Sequence, residues 1–327
     1  MMLARNAESL YWIGRYVERA DDMARILDVA IHQLLEDATV DVDRQARLVI
    51  QVLGLDTPST DDLIDVWALT ERVAYDKDAI GSIVDLIRSA RENARGAREV
   101  TSSEMWECLN TTYNGLNDAE RRARRLGPHE FLSYVKNRAA MFAGLADATL
   151  SHDDGYRYLL LGRSVERVDM TIRMLLSRAG DRVTSPSWVS VLVSAGAHDT
   201  FLRTYRGRLD AENIVEFMLV DRLFPRSVFH ALRVAEHNLT ELEKRPSRVG
   251  TQAEALLLLG RARSSLEFIE PGNLLEDLQD RLLDLQDTCR AVNEAVTGQY
   301  FHVSPYVSWA DARVSDSEDH MIEESEL

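Results

Sequence analysis

Residues 10–34 read L-Y-W-I-G-R-Y-V-E-R-A-D-D-M-A-R-I-L-D-V-A-I-H-Q-L. Leu10, Ile13, Val17, Ala20, Ala24, Leu27, Ile31 and Leu34 alternate spacings of three and four. That is the signature of a helix with one apolar stripe, sustained over more than three heptads. Inside this stretch lies G-R-Y-V-E-R-A-D, residues 14–21, and G-R-S-V-E-R-V-D stands at residues 162–169. The two strings lie 148 residues apart, and at the same offset Arg25 meets Arg173 while Leu10, Ile13 and Leu27 meet Tyr158, Leu161 and Leu175. So dense a polar pattern at a fixed offset reads as an internal duplication.

The likeness continues downstream at an offset of 145, where Asp76, Ser82, Ile83, Arg88, Ala90 and Asn93 meet Asp221, Ser227, Val228, Arg233, Ala235 and Asn238. Further helices are expected at about 42–54, 60–73, 77–100, 101–125 and 128–150. In the second half they are expected at about 153–179, 186–205, 210–219, 225–245, 250–268 and 272–300. Asp210 and Asp221 suit helix starts, and Pro225 suits a first helical turn. The breaks are Gly127-Pro128, Ser185-Pro186, Arg245-Pro246 and Pro271-Gly272. No period-two apolar run reads as a strand. The expected fold is all-α, an internally duplicated helical bundle with residues 1–150 and 151–308 as two pseudo-symmetric halves of one body. Residues 309–327 read as a disordered acidic tail.

A chain of 327 residues with 45% apolar content can bury a substantial core. Its net charge of −16 opposes sequence-blind nucleic-acid binding and docking on an anionic membrane. Residues 311–327 hold seven acids against Arg313, which leaves about −10 for the rest. Cys108 and Cys289 form no C-x-x-C pair and suit reduced thiols in the cytoplasm. No signal peptide and no membrane-length apolar run is apparent.

The shared polar pattern is Arg-x-x-Glu-Arg-x-Asp-x-x-x-Arg. It makes Arg15, Arg19, Asp21 and Arg25, with Arg163, Arg167, Asp169 and Arg173, candidate ligand-binding residues. Glu18 and Glu166 are candidate bases or orienting groups. Arg15, Glu18, Arg19 and Asp22 can ladder along their own helix, and the second copy has Met170 in place of Asp22. Two readings fit. The pattern is either an Arg–carboxylate network tying helices together, or a pair of pockets in which Arg clamps an anion.

A second cluster holds Arg88, Arg91, Glu92, Asn93, Arg95, Arg98 and Glu99, followed by Trp106 and Asn110. It adds Glu92 as a candidate catalytic residue and Asn93 and Arg95 as candidate binders, against a plain salt-laced helix face. A third patch, His198, Asp199, Arg203, Tyr205, Arg206 and Arg208, reads as an anion site or an ordinary surface. Glu-x-x-His, H-E-x-x-H, the P-loop, G-x-G-x-x-G and G-x-S-x-G are all absent from the sequence, so no metal or cofactor is expected. Asp21-Asp22 and Asp153-Asp154 only faintly suggest magnesium-binding aspartate pairs, and the second copy of the motif has Asp169-Met170 in place of Asp21-Asp22. His32, His152 and His302 suit surface or packing roles.

Several stretches together resemble the bacterial alpha-E family, an all-helical family named for its E-R motif. They are N-A-E-S-L-Y-W-I-G-R-Y-V-E-R-A-D-D-M-A-R-I at 6–26, S-A-R-E-N-A-R-G-A-R-E-V at 89–100 and S-S-E-M-W-E-C-L-N at 102–110, with Y-R-G-R-L-D at 205–210 and F-P-R-S-V at 224–228. The resemblance covers roughly residues 1–305. It implies a partner, a circularly permuted ATP-grasp protein encoded beside or fused to it, often with a transglutaminase-like protease nearby. ATP-grasp enzymes activate a carboxylate as an acyl phosphate and join it to an amine. The family's motif residues fall on Arg15, Glu18, Arg19, Glu166 and Arg167, and on Glu92, Asn93 and Arg95, with no catalytic role attached. The leading expectation is therefore a helical accessory or scaffold component of an amide-ligase system. The alternatives are an enzyme using a Glu general base in amide chemistry, and a purely structural module that forms homo-oligomers.

Overall fold

Helix α1 (Ala4–Glu36) carries its apolar stripe inward as the spacing predicts, and it buries far more than that stripe. Tyr11, Met23 and Ile26 are buried on its other faces, together with Glu18, Asp21 and Asp22. A helix covered all round is central to its fold. Its charged face therefore looks into a polar interior, not into solvent. Helix α7 (Asp154–Ala179), which carries the second copy of the motif, is the element it packs against most extensively.

The computed structural model describes residues 2–36, 41–59, 62–179, 185–206, 208–243, 253–269 and 274–301. Among these residues there is no strand. Helices α2 (Val42–Leu53) and α3 (Val66–Thr70) are followed by a π-helical turn, Glu71–Tyr75. Next come α4 (Ile83–Gly96), α5 (Ser103–Leu126) and α6 (His129–Thr149). After α7 come α8 (Ser185–Ser194), α9 (His198–Tyr205), α10 (Ala211–Val220), α11 (Val228–Leu242), α12 (Glu254–Glu267) and α13 (Leu278–Val296), with a final π-helical turn, Thr297–Phe301. Around α1 the packing runs α4 on α5 on α6, and α6 returns to α1. Around α7 it runs α11 on α12 on α13, and α13 returns to α7. Helix α2 leans on α7, and α8 leans on α1. A smaller apolar cluster, including Ile13, Val17, Ala139, Phe142, Ala146 and Leu159, joins α1, α6 and α7.

Several boundaries differ from the sequence reading, each for a local reason. The stretch expected to be helical from 77 begins at Ile83, because Asp76 Oδ1 accepts the backbone N–H groups of Asp78 and Ala79 and folds a turn. Ser82 then caps the helix by accepting from Asp85 N. The helix expected from 225 likewise begins at Val228. Asp221 accepts from the backbone of Leu223 and Phe224, and Ser227 caps at His230 N. Asp221 and Pro225 thus belong to the preceding turn, whereas Asp210 does cap α10 at Asn213 N. The single helix expected over 186–205 is split by Gly196, whose φ of +61° is a left-handed conformation that ends a helix. The breaks at Arg245-Pro246 and Pro271-Gly272, His302 and the acidic tail lie outside the described residues.

Ser82 and Ser227 are fully buried, and each also donates its hydroxyl to the backbone oxygen of Asp76 or Asp221. Changing either to alanine is expected to lower stability by about 1–2 kcal/mol, the upper range for a lost cap. The shift in urea midpoint measures it.

Candidate functional site

Helices α1 and α7 meet at two glycines. A Cβ on Gly14 would press into the Leu159 carbonyl and lie 2.9 Å from Arg163 N, and one on Gly162 would press into the Tyr11 carbonyl. Only hydrogen at both positions lets the two backbones come this close. Close approach puts the charged residues that follow each glycine within reach of the opposite helix.

The pairing across this crossing is reciprocal. Glu166 of α7 accepts a hydrogen bond from Arg15 Nε at 2.7 Å and is in ion-pair contact with Arg19 Nε at 2.5 Å, both from α1. Glu18 of α1 receives Arg163 Nε at 3.1 Å and Arg167 Nε at 2.7 Å, both from α7. Asp21 receives Arg25 at 3.0 Å, and Asp169 receives Arg173 at 2.7 Å and Arg19 at 3.5 Å. The Glu18 and Glu166 side chains are only 6% and 2% exposed. The intrahelical ladder expected of Arg15, Glu18 and Arg19 is thus an interhelical clasp. Arg25 and Arg173 lie against Gly196 and Gly54, the left-handed glycines closing α8 and α2. A cation at a helix C-terminus meets the negative end of its dipole.

Sequence reasoning passed over Arg226, although it stands within F-P-R-S-V. It enters from the turn before α11, 3.3 Å from Glu18, 2.6 Å from Asp21 and in contact with Asp22. No spacing within α1 or α7 could have revealed it. Asp22 is fully buried and its Oδ2 meets no hydrogen-bond partner among the described residues. Asp21 and Asp22 are thus committed to an arginine.

Burial works to raise the Glu18 carboxyl, but Arg167, Arg226 and Arg163 together hold it well below the usual range. Glu166 is lowered in the same way by Arg15 and Arg19 against its burial. Such carboxylates suit anchoring, since a general base needs a pKa nearer the working pH. Burial also lowers Arg167, helped by the neighbouring Arg226 and Arg163 guanidiniums. Asp22 goes the other way. Burial, with Glu18 and Asp21 beside it, pushes it up from 3.8 to about 7 despite Arg226. A carboxyl raised on folding contributes stability below its unfolded pKa, and that contribution is lost as pH rises through the folded value. Asp22→Asn is therefore expected to flatten the decline in stability between about pH 4 and about pH 7. Urea midpoints of both proteins across that range check it, and parallel curves would contradict it.

The two poles of the clasp differ. At the Glu166 pole, Asn293 of α13 accepts from Arg15 Nη1 at 2.7 Å and from the Tyr11 hydroxyl at 3.0 Å, and Trp12 lies 5.2 Å from the Arg15 guanidinium. At the Glu18 pole α6 offers mainly small residues, and a cleft of about 480 Å³ opens between α1, α6 and α7. Arg25, Arg163, Arg167 and Arg226 line it with Glu18 and Asp21.

Glu92, Asn93 and Arg95 do not line this cleft. Glu92, 39% exposed, pairs with Arg91 at 2.6 Å and Arg95 at 2.7 Å, and Asn93 donates to the Ser89 carbonyl of its own helix. Arg91 bonds Asn110 and lies 4.9 Å from the Tyr113 ring, and Arg98 lies 4.9 Å from Trp106. The cluster stitches α4 to α5. The third patch is a surface: Asp199, Arg203, Arg206 and Arg208 are exposed, and Tyr205 donates to Glu216. No helix among the described residues is long and apolar enough to cross a membrane.

An uncharacterized protein of Mycobacterium bovis and uncharacterized proteins of two Mycobacterium tuberculosis strains are each 24% identical to this chain over 327 aligned residues. The alignments cover 90% of the chain and 36% of each relative, so the chain spans about a third of the length of the curated relatives it matches. No solved structure matches it. A family model described as a predicted alpha-helical domain with a conserved ER motif matches residues 2–301, through both crossed E-R helices. The chain belongs to the Alpha-E family.

Proposed function

We propose that this protein is a helical accessory component of an ATP-grasp-type amide-ligase system, and that its cleft holds a carboxylate-bearing substrate for the partner that activates it. The observation that carries this reading is the charge of the cleft, where four arginines face three lining carboxylates, Glu18, Asp21 and Asp147. With one guanidinium in excess of its carboxylates the cleft favours an anion, and the planar fork of arginine matches a carboxylate. The low pKa of Glu18 and Glu166 favours binding over proton transfer at the E-R residues. The link to an ATP-grasp enzyme rests on the family resemblance of the motifs. The much longer relatives are consistent with a module that works beside other domains. Two buried free thiols, Cys108 and Cys289, suit a cytoplasmic setting. We also infer that residues 1–150 and 151–308 are two copies of one unit. The paired motifs and the like packing orders around α1 and α7 support this.

Affinity capture of the tagged chain from its native cells tests the reading. Recovery of an ATP-grasp protein is expected. Arg163→Gln should keep that partner and lose amide formation by the reconstituted pair. Absence of such a partner from a folded, abundant bait would contradict the proposal.

A further inference from the structure

The ligand class follows from how the open pole differs from the closed one. Arg163 and Arg15 hold equivalent places in the two motifs, and each gives its Nε to the opposite glutamate. Arg15 then gives Nη1 to Asn293. Arg163 has no second partner among the described residues, and its side chain is 34% exposed in the cleft. Both its terminal nitrogens are therefore free to take the two oxygens of one carboxylate.

The facing wall is apolar and, Phe142 apart, made of small side chains. Ala139, Ala140, Ala143 and Ala146 of α6 line the cleft opposite Leu159 and Leu160. A Cβ added to Gly144 would meet nothing within 4 Å. One turn beyond Ala143, Asp147 stands at the rim and accepts the Tyr156 hydroxyl at 2.7 Å. Tyr156 feels both charges. Burial and the Asp147 hydrogen bond push its pKa up to about 12, and Arg163 works to lower it. A cation site and an anion site thus flank one neutral tyrosine, with an apolar wall beside them. The cleft volume of about 480 Å³ lies within the range of roughly 300–1,000 Å³ typical of small-molecule sites.

We propose that the Glu18-side cleft binds a zwitterionic amino acid or short peptide with small aliphatic side chains. The carboxylate sits on the Arg163 fork, the side chains on the alanine wall of α6 and the ammonium at Asp147. This rests on the reading of the cleft as the substrate-holding site, and it assigns one ligand to the protein, not one to each motif.

Calorimetric titration of the full chain tests it with four probes: the dipeptide alanyl-leucine, its C-terminal amide, its N-acetyl form and inorganic phosphate. The dipeptide is expected to bind. The amide should bind about tenfold to a hundredfold more weakly, as for losing a hydrogen bond to a charged group, and the N-acetyl form should also be weaker. Arg163→Gln should erase the preference for carboxylate over amide, and Asp147→Asn the preference for the free amine. Ala143→Leu, which fills the cleft without touching a charge, should abolish binding while the far-ultraviolet dichroism is unchanged. Equal binding of dipeptide and amide would overturn the proposal, as would undiminished binding to Ala143→Leu. Binding of phosphate but not dipeptide would overturn it while leaving an anion-holding cleft. Binding of neither probe, with an ATP-grasp partner still recovered, would overturn it and leave only the partner assignment.

Discussion

Gly162→Ala is expected to destabilise the protein by about 2–3 kcal/mol, the upper range for an overpacked core. Gly14→Ala should do the same. The usual sign is opposite, since alanine within a helix is favoured over glycine by about 1 kcal/mol. Contact geometry decides which effect wins. The new methyl at 162 would press into the Tyr11 backbone carbonyl, and at 14 into the Leu159 carbonyl with Arg163 N at 2.9 Å. Backbone cannot rotate aside as a flexible side chain can, so the helices must separate. Separation lengthens all four Glu–Arg contacts at once. Gly144 is the internal control, because its added Cβ would meet nothing within 4 Å. Gly144→Ala should gain up to about 1 kcal/mol from helix propensity. Urea unfolding followed by circular dichroism compares the three. A neutral Gly162→Ala would mean that the crossing is looser than described.

The second large effect belongs to the carboxylates. Glu166→Gln leaves Arg15 and Arg19 facing a neutral group in a nearly sealed site, and Glu18→Gln does so for Arg163, Arg167 and Arg226. Removing one partner from a buried charge cluster costs about 3–5 kcal/mol, more than the pair itself contributes. Both variants should therefore unfold at much lower urea. A catalytic base would behave differently, with activity lost and stability kept. The pH dependence has a definite sign. Both carboxyls are held below their ordinary 4.5 in the folded protein. Their contribution is fully present above that value and is lost as pH falls below it toward the folded pKa. Acid unfolding should begin below about pH 4.5 and be shallower in Glu166→Gln.

Much of the fold was legible because periodicity reports burial. The stripe from Leu10 to Leu34 is buried at every position named for it. The helix starts were harder to read. Asp76 and Asp221 have the chemistry of caps but fold turns, and the caps proper are the serines six residues on. Within the site, the sequence allowed both a ladder along one helix and a network tying helices together, and the structure has Glu18 and Glu166 in the second arrangement. Spacings of three and four in Arg15, Glu18 and Arg19 describe one helix, and they cannot say that a second helix lies close enough to compete. Gly14 and Gly162 were the missing signal. Inside a helix a glycine opens each motif, and only the contact explains it. Arg226 was invisible to such reasoning because it reaches the cluster from a turn some 200 residues along the chain. The cleft was invisible too, since Ala139, Ala140, Ala143 and Ala146 read simply as helix, and their small size matters only opposite Arg163.

The central claim is that the two E-R helices clasp one another reciprocally across the glycine crossing. A double-mutant cycle of Glu18→Gln with Arg167→Gln, read as unfolding free energy in urea, tests it most directly. Coupling of about 1–3 kcal/mol, with the double variant less damaged than the sum of the single ones, is the predicted result. Simple additivity would contradict it, because residues that do not touch across α1 and α7 have nothing to share.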